Sequence, residues 1–430
     1  LCGCALVLLV ARVLTTRVGA SRATLCALIA FASLPPLAVW STSGLETMPF
    51  ALALFGAFAA LHAPRPKTAL AACAAALAVL LRADGFVAVT FVLAASAAGA
   101  GLREDRAALR AIALAAATVV VVLVGHLLWR HSYYGAWQPN TARVKVEFGA
   151  LAFERGLRYV ATFVVSFPAL LIMLALASPG ARAPRDPFGL TALAVVVGVC
   201  AYVIAIGGDF MAMGRFLVPA LPFAALAFAA GLARLGAQRA WLGFAATGAC
   251  VALSLPVAFG VEIAPQALRE RLAYRWSADV VRSEYEQWRL MSLQVQRWVY
   301  VGRALRLRTQ PGESLMQGTI GAIGYYSELV IHDPFGLVNR DEFAASSAAE
   351  RASPGHQRRV PFATILAKQP TYLDAAIVPR ERRDLGLRDA LKPGGELFDV
   401  ARPEYVEIAD VPGLSAAQVL RLVRYVPRMR

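Results

Sequence analysis

The chain has 430 residues, 58% of them hydrophobic and only 17% charged, with a formal net charge of +15. That apolar fraction excludes an ordinary soluble enzyme and points to a polytopic α-helical membrane protein. The Lys and Arg excess is scattered over short connections rather than gathered in a stripe, which argues against nucleic acid as a partner.

A helix needs about 20 apolar residues to cross a hydrocarbon core of ~30 Å, fewer where it is tilted or re-entrant. Ten runs meet this reading, at about 1–14, 22–40, 46–62, 66–81, 84–101, 110–130, 159–178, 188–207, 214–233 and 240–260. The chain opens at Leu1 already inside the first run, so further sequence is expected before it. Alternate connections carry Arg17/Arg22, Arg65/Lys67, Arg103/Arg106/Arg110, Arg182/Arg185 and Arg234/Arg239. These short basic loops mark the cytoplasmic side and place the opposite connections outside. Residues 1–261 hold 8 of the 28 acids, and five of those (Glu46, Asp84, Glu147, Glu154 and Asp209) fall on that outer side. An acid at a span end is costly unless solvated or paired, so the set suggests one external cavity.

Four connections carry candidate chemistry. In STSGLET (Ser41–Thr47), Glu46 either faces the cavity or favours the N-terminal dipole of the next span, which Ser43 or Thr47 would cap. In LLRADG (Leu80–Gly85), Arg82 either grips a phosphate with its guanidinium fork or pairs with Asp84 to anchor a hairpin. In SYYGAWQPNTARVKV (Ser132–Val146), Tyr134, Asn140 and Thr141 could contact a sugar, and Arg143 and Lys145 a phosphate. The aromatic residues alone also fit an interfacial belt. In AIGGDFMAMGRFLVPALP (Ala205–Pro222), Gly207 and Gly208 end a helix and let backbone approach a ligand. Asp209 and Arg215 there are either a site or a mutually neutralising pair.

After about residue 261 the polarity becomes ordinary, giving a division into 1–261 in the membrane and 262–430 as a small extracytoplasmic α/β domain. Its predicted elements are an amphipathic helix over 276–305, an α/β pattern made of 314–327, the strand-like 329–337 and 371–379, short strands at 398–402 and 404–409, and a final helix after Ser415. The six cysteines all lie in apolar runs and form no disulfide or metal pattern. Walker-A, HExxH and Ser-His-Asp signatures are missing from the sequence. A divalent cation bridging Asp209 and a donor phosphate would leave no signature, so no cofactor is assigned and a divalent cation stays open.

Taken together, SGLET, LRADG, YYGAWQPNT, GGDFMAMGRFLVPALP and GAIGYYSELVIHDPFGL resemble, in order and spacing, the GT-C superfamily of integral-membrane glycosyltransferases. The nearest branch is that of the polyprenyl-phosphate-arabinose-dependent cell-wall arabinofuranosyltransferases. The resemblance implies a multi-pass enzyme of a bacterial inner membrane. It would move a sugar, arabinofuranose favoured and a hexose such as mannose the alternative, from a polyprenyl-phosphate donor to a cell-envelope glycan on the external face. It further implies that Asp209, Glu46 and Asp84 support catalysis and that Arg82, Lys145 and Arg215 bind the donor phosphate. Tyr134, Asn140, Thr141 and Gly208 would contact sugar or acceptor. The family's usual catalytic acid lies in a first external loop expected to precede Leu1, so no residue is assigned as principal base. RADG also stands where Arg-Pro-Asp/Glu-Gly is more usual. Two rival functions remain: a transporter or flippase of lipid-linked sugars, and a non-catalytic membrane-anchored glycan-binding protein. The absence of acids near any predicted mid-span disfavours the transporter.

Overall fold

The computed structural model describes residues 1–145, 149–177, 187–235, 239–275, 280–348, 355, 358–385 and 406–425. The chain divides into two compact units, one of residues 1–139 and 146–288, the other of residues 140–145 and 289–430.

The first unit is helical among its described residues. It contains α1 (Cys2–Arg17), α2 (Arg22–Ala32), α3 (Pro35–Thr42), α4 (Thr47–Leu61), α5 (Thr68–Leu81), α6 (Gly85–Gly101) and α7 (Arg106–Tyr134). The short α8 (Asn140–Lys145) groups with the second unit. The first unit then continues with α9 (Ala150–Ser166), α10 (Ala169–Ala177), α11 (Pro187–Ala205), α12 (Leu221–Arg234), α13 (Ala240–Ala258) and α14 (Gln266–Arg271).

Each of the ten apolar runs contains helix, but among the described residues only α7, α11 and α13 are singly long and apolar enough to cross a membrane. Two runs expected to be continuous are broken. α2 and α3 meet at 58° and α9 and α10 at 100°. Both breaks fall at proline: Pro35–Pro36 open α3, and Pro168 separates α9 from α10. Proline lacks the N–H that would continue the ladder and drives its predecessor out of the α region. With each bent pair counted as one span, five candidates result.

The centre of the bundle is α12, buried continuously from Leu221 to Leu232. Its Ala-rich sequence explains this, because between helices in lipid close packing of small residues, rather than water exclusion, drives association. Gly231 lies against the Leu176 carbonyl, where a Cβ would collide. On the neighbouring α4, Phe55 and Phe58 pack edge-on against Phe223 of α12 at 5.4 and 5.2 Å between ring centroids.

Helix α15 (Glu284–Arg308) starts in the first unit and runs into the second. Further on come β1 (Ser314–Met316), α16 (Ile320–Ser327), β2 (Val330–His332), α17 (Arg340–Ala345), β3 (Ser347–Ala348), β4 (Arg358–Arg359), α18 (Phe362–Leu366), β5 (Tyr372–Pro379), β6 (Val406–Ala409) and β7 (Gln418–Arg424). The main sheet has the order β2-β1-β5-β7-β6. β1 pairs in parallel with β2 and β5, whereas β7 is antiparallel to β5 and β6. Val301, Ala304 and Leu305 of α15 pack on Leu315, Tyr372, Leu420 and Leu422 to make the core of this small α/β unit.

The helix expected after Ser415 is instead the strand β7, between β5 and β6. Its apolar residues Val419, Leu420, Leu422 and Val423 satisfy helical and strand spacing alike, and pairing with two distant strands decides the outcome. The strand expected at 398–402 lies outside the described residues.

Candidate active site

The stretch between α11 and α12 owes its shape to glycine. Gly207, Gly208 and Gly214 have φ of +83°, +73° and +59°, a region where side chains are strained. On each, a Cβ would collide with α9: with the Arg155 guanidinium, the Tyr159 ring and the Phe163 ring respectively. These partners are spaced i, i+4, i+8 and so share one face of that helix. Arg155, only 3% exposed, donates from Nε to the Gly207 carbonyl at 3.1 Å. Tyr159 accepts the Phe216 N–H through its hydroxyl at 3.3 Å. The close backbone approach at Gly208 is therefore to Tyr159.

Against this scaffold three of the predicted acids and two of the predicted cations come together. Arg82, at the end of α5, makes a two-pronged bond to Asp84, Nε to Oδ1 and Nη2 to Oδ2, both 2.9 Å. Its Nη1 reaches Glu46 Oε1 at 3.3 Å. Tyr202 of α11 donates its hydroxyl proton to Asp84 Oδ2 at 2.9 Å. Asp209 is 5% exposed and lies within electrostatic range of Arg82. Its Oδ2 stands 2.7 Å from Arg215 Nε. That contact is ionic without being an aligned hydrogen bond, since both atoms are buried and neither has a bonding partner in line. Both guanidiniums lie over the same ring: Arg82 is 4.5 Å and Arg215 4.9 Å from the Phe216 centroid.

The two cations differ chemically. Arg82 has three nitrogens committed to carboxylates, so a phosphate there would have to displace Asp84 or Glu46. The terminal nitrogens of Arg215 make no hydrogen bond among the described residues, which leaves a fork free for a tetrahedral anion.

Sequence reasoning missed a further ion pair. Arg275 Nη1 meets Glu284 Oε1 at 2.8 Å. Arg275 also donates to the carbonyls of Phe210 (2.8 Å) and Met211 (3.2 Å), while Glu284 Oε2 accepts the Met213 N–H at 2.6 Å. Trp40 Nε1 donates to the Met213 carbonyl at 3.0 Å. Burial works against the Arg275 charge, but the Glu284 carboxylate beside it holds its pKa above the usual guanidinium value. One signal was available: Ser283 and Glu286 form a reciprocal capping box, each accepting the other's N–H. That pattern fixes the start of α15 at Glu284 and leaves Arg275 in a connection.

The remaining predicted residues lie apart from this cluster in the chain. Tyr134 is half-exposed at the end of α7, in an aromatic group with Trp129 and Tyr133 and under Arg130. Asn140 and Thr141 open α8 in the second unit. The Lys145 side chain lies outside the described residues. Among the described residues no group of three or more His, Cys, Asp or Glu is arranged to hold a metal, and all six cysteines are free.

Comparison with solved structures shows a shared fold. The chain superposes on the apo crystal structure of ArnT from Cupriavidus metallidurans, a GT-C glycosyltransferase, with a TM-score of 0.54 and 16% identity, covering 98% of this chain and 82% of that one. The same protein bound to undecaprenyl phosphate gives a TM-score of 0.48 at the same identity and coverage. Residues 283–424 match the family described as "Domain of unknown function (DUF8728)". No curated protein matches the chain by sequence.

Proposed function

We propose that this chain is an integral-membrane glycosyltransferase that moves a sugar from a polyprenyl-phosphate donor to a cell-envelope glycan on the external membrane face. Arabinofuranose is the favoured sugar, on the resemblance of the motifs, and a hexose such as mannose the alternative. The observation that carries the reading is the Asp209–Arg215 pair on a GT-C-type fold. It puts a buried carboxylate beside a guanidinium whose terminal nitrogens are free, neither having an aligned hydrogen-bond partner among the described residues. Glycosyl transfer from a lipid phosphate needs those two functions: cationic donors for the charge that grows on the departing phosphate, and anionic groups near the acceptor hydroxyl and the oxocarbenium-like sugar.

In this scheme Arg215 receives the phosphate, and Arg82 adds positive charge beside it. Asp209 faces the sugar or acceptor, with Glu46 and Asp84 supporting. Tyr134 and the Gly208 backbone contribute sugar contacts. Residues 1–261 form the membrane part, and residues 262–430 lie on the outer side of a bacterial inner membrane. The test is reconstitution in liposomes with labelled polyprenyl-phosphate arabinose or mannose and a cell-envelope glycan. Label entering the glycan from one lipid donor supports the reading. Label crossing the bilayer still on its lipid would replace it with transport.

A further inference from the structure

The stretch that carries Asp209 and Arg215 is held by a clamp distinct from the two residues themselves. Met213 adopts φ of +59°, a left-handed conformation for a residue with a side chain. Its peptide groups are pinned on both sides, the N–H by Glu284 Oε2 at 2.6 Å and the carbonyl by Trp40 Nε1 at 3.0 Å. Arg275 binds the two preceding carbonyls, of Phe210 and Met211, and is itself fixed by Glu284. Glu284 is 3% exposed and Arg275 is largely enclosed. Thus three of the residues between the acid and the cation of the site, Phe210, Met211 and Met213, are bonded through their backbones to one buried ion pair.

We infer that Glu284, acting with Arg275, is a positioning residue for sugar transfer: it sets the separation of Asp209 from Arg215 by locking the Met213 peptide in its left-handed turn. The inference rests on the transferase reading for its consequence, but not for the clamp. Neither residue needs to touch substrate. The carboxylate serves here because its two oxygens take the Met213 N–H and both terminal nitrogens of Arg275 while its charge offsets the guanidinium. A misplacement of reacting groups by about 1 Å costs on the order of 100-fold in rate, so releasing the clamp should fall on turnover.

The experiment compares Glu284→Ala and Glu284→Gln in the reconstituted full chain, reading kcat, donor KM, thermal unfolding and hydrogen exchange of the 210–214 backbone. Glu284→Ala should lower kcat about 100-fold with donor KM within about threefold, and exchange at 210–214 should quicken while distant segments keep their protection. Glu284→Gln keeps an acceptor for Met213 but loses the charge on Arg275, so its loss should be about tenfold. It also serves if the alanine variant fails to fold. Wild-type kcat in both variants, or lost turnover with unaltered exchange at 210–214, overturns the inference. If the wild type transfers no sugar, the exchange measurement still decides whether the clamp exists.

Discussion

Arg82 and Arg215, 133 positions apart in sequence, place their guanidiniums within 5 Å of the same Phe216 ring, at 4.5 and 4.9 Å. A ring face attracts a cation through its quadrupole, by roughly 0.5–2 kcal/mol. Phe216 thereby offsets part of the repulsion between two like charges and joins the LRADG and GGDFMAMGR motifs in one cluster. Of the two arginines, one is saturated by carboxylates and the other keeps donors free, so their substitutions should read out differently.

Arg82→Ala should act chiefly on stability. Removing the guanidinium strands two carboxylates, and breaking a fully buried pair costs about 3–5 kcal/mol. Here the Asp84 and Glu46 side chains keep 29% and 33% exposure, so the expected loss is roughly 1–3 kcal/mol. Thermal unfolding in detergent measures it. An unchanged midpoint would mean that the three-residue network adds nothing to the fold.

Gly208→Ala and Gly19→Ala separate backbone strain from packing. Both glycines have positive φ, but Gly19 has open space around its missing Cβ whereas Gly208 faces Tyr159 at 2.6 Å. Gly19→Ala should cost only the left-handed penalty, about 1–2 kcal/mol. Gly208→Ala should add about 1–3 kcal/mol of overpacking. Equal losses in unfolding experiments would contradict the packing of this stretch on α9.

The capping box at the start of α15 predicts a pH dependence. The Ser283 N–H holds the Glu286 carboxyl below its ordinary value. A depressed folded-state pKa adds stability above the ordinary carboxylate value, and that stability is lost as pH falls through the folded value. Glu286→Ala should cost about 1 kcal/mol at neutral pH. The gap from wild type should narrow on acidification through that range. A gap that is constant with pH would dissociate Glu286 from the cap.

Much of this was legible in the sequence because it rests on local chemistry. Paired glycines marked the turn beside Asp209, whereas the breaks at Pro35 and Pro168 were read through, because the apolar residues on either side of each proline run on without interruption. The partners of those residues were not legible. Nothing near Gly208 names Tyr159, nothing near Met213 names Glu284, and both contacts span tens of residues. The strand β7 was misread for the same reason. Its apolar positions fit two periods, and only β5 and β6, supplied from elsewhere in the chain, choose between them. Arg82 showed in advance that it would be either a phosphate ligand or a hairpin anchor, and its geometry is that of an ion pair with Asp84 and Glu46.

The most direct test of the central claim is the transfer assay with Asp209→Asn and Arg215→Ala in the reconstituted protein, alongside thermal unfolding of each. The account predicts that both variants fold and that each lowers sugar transfer at least about 100-fold, the scale expected when a donor to developing charge is removed. Normal turnover in both variants would contradict it and return Asp209 and Arg215 to a mutually neutralising pair.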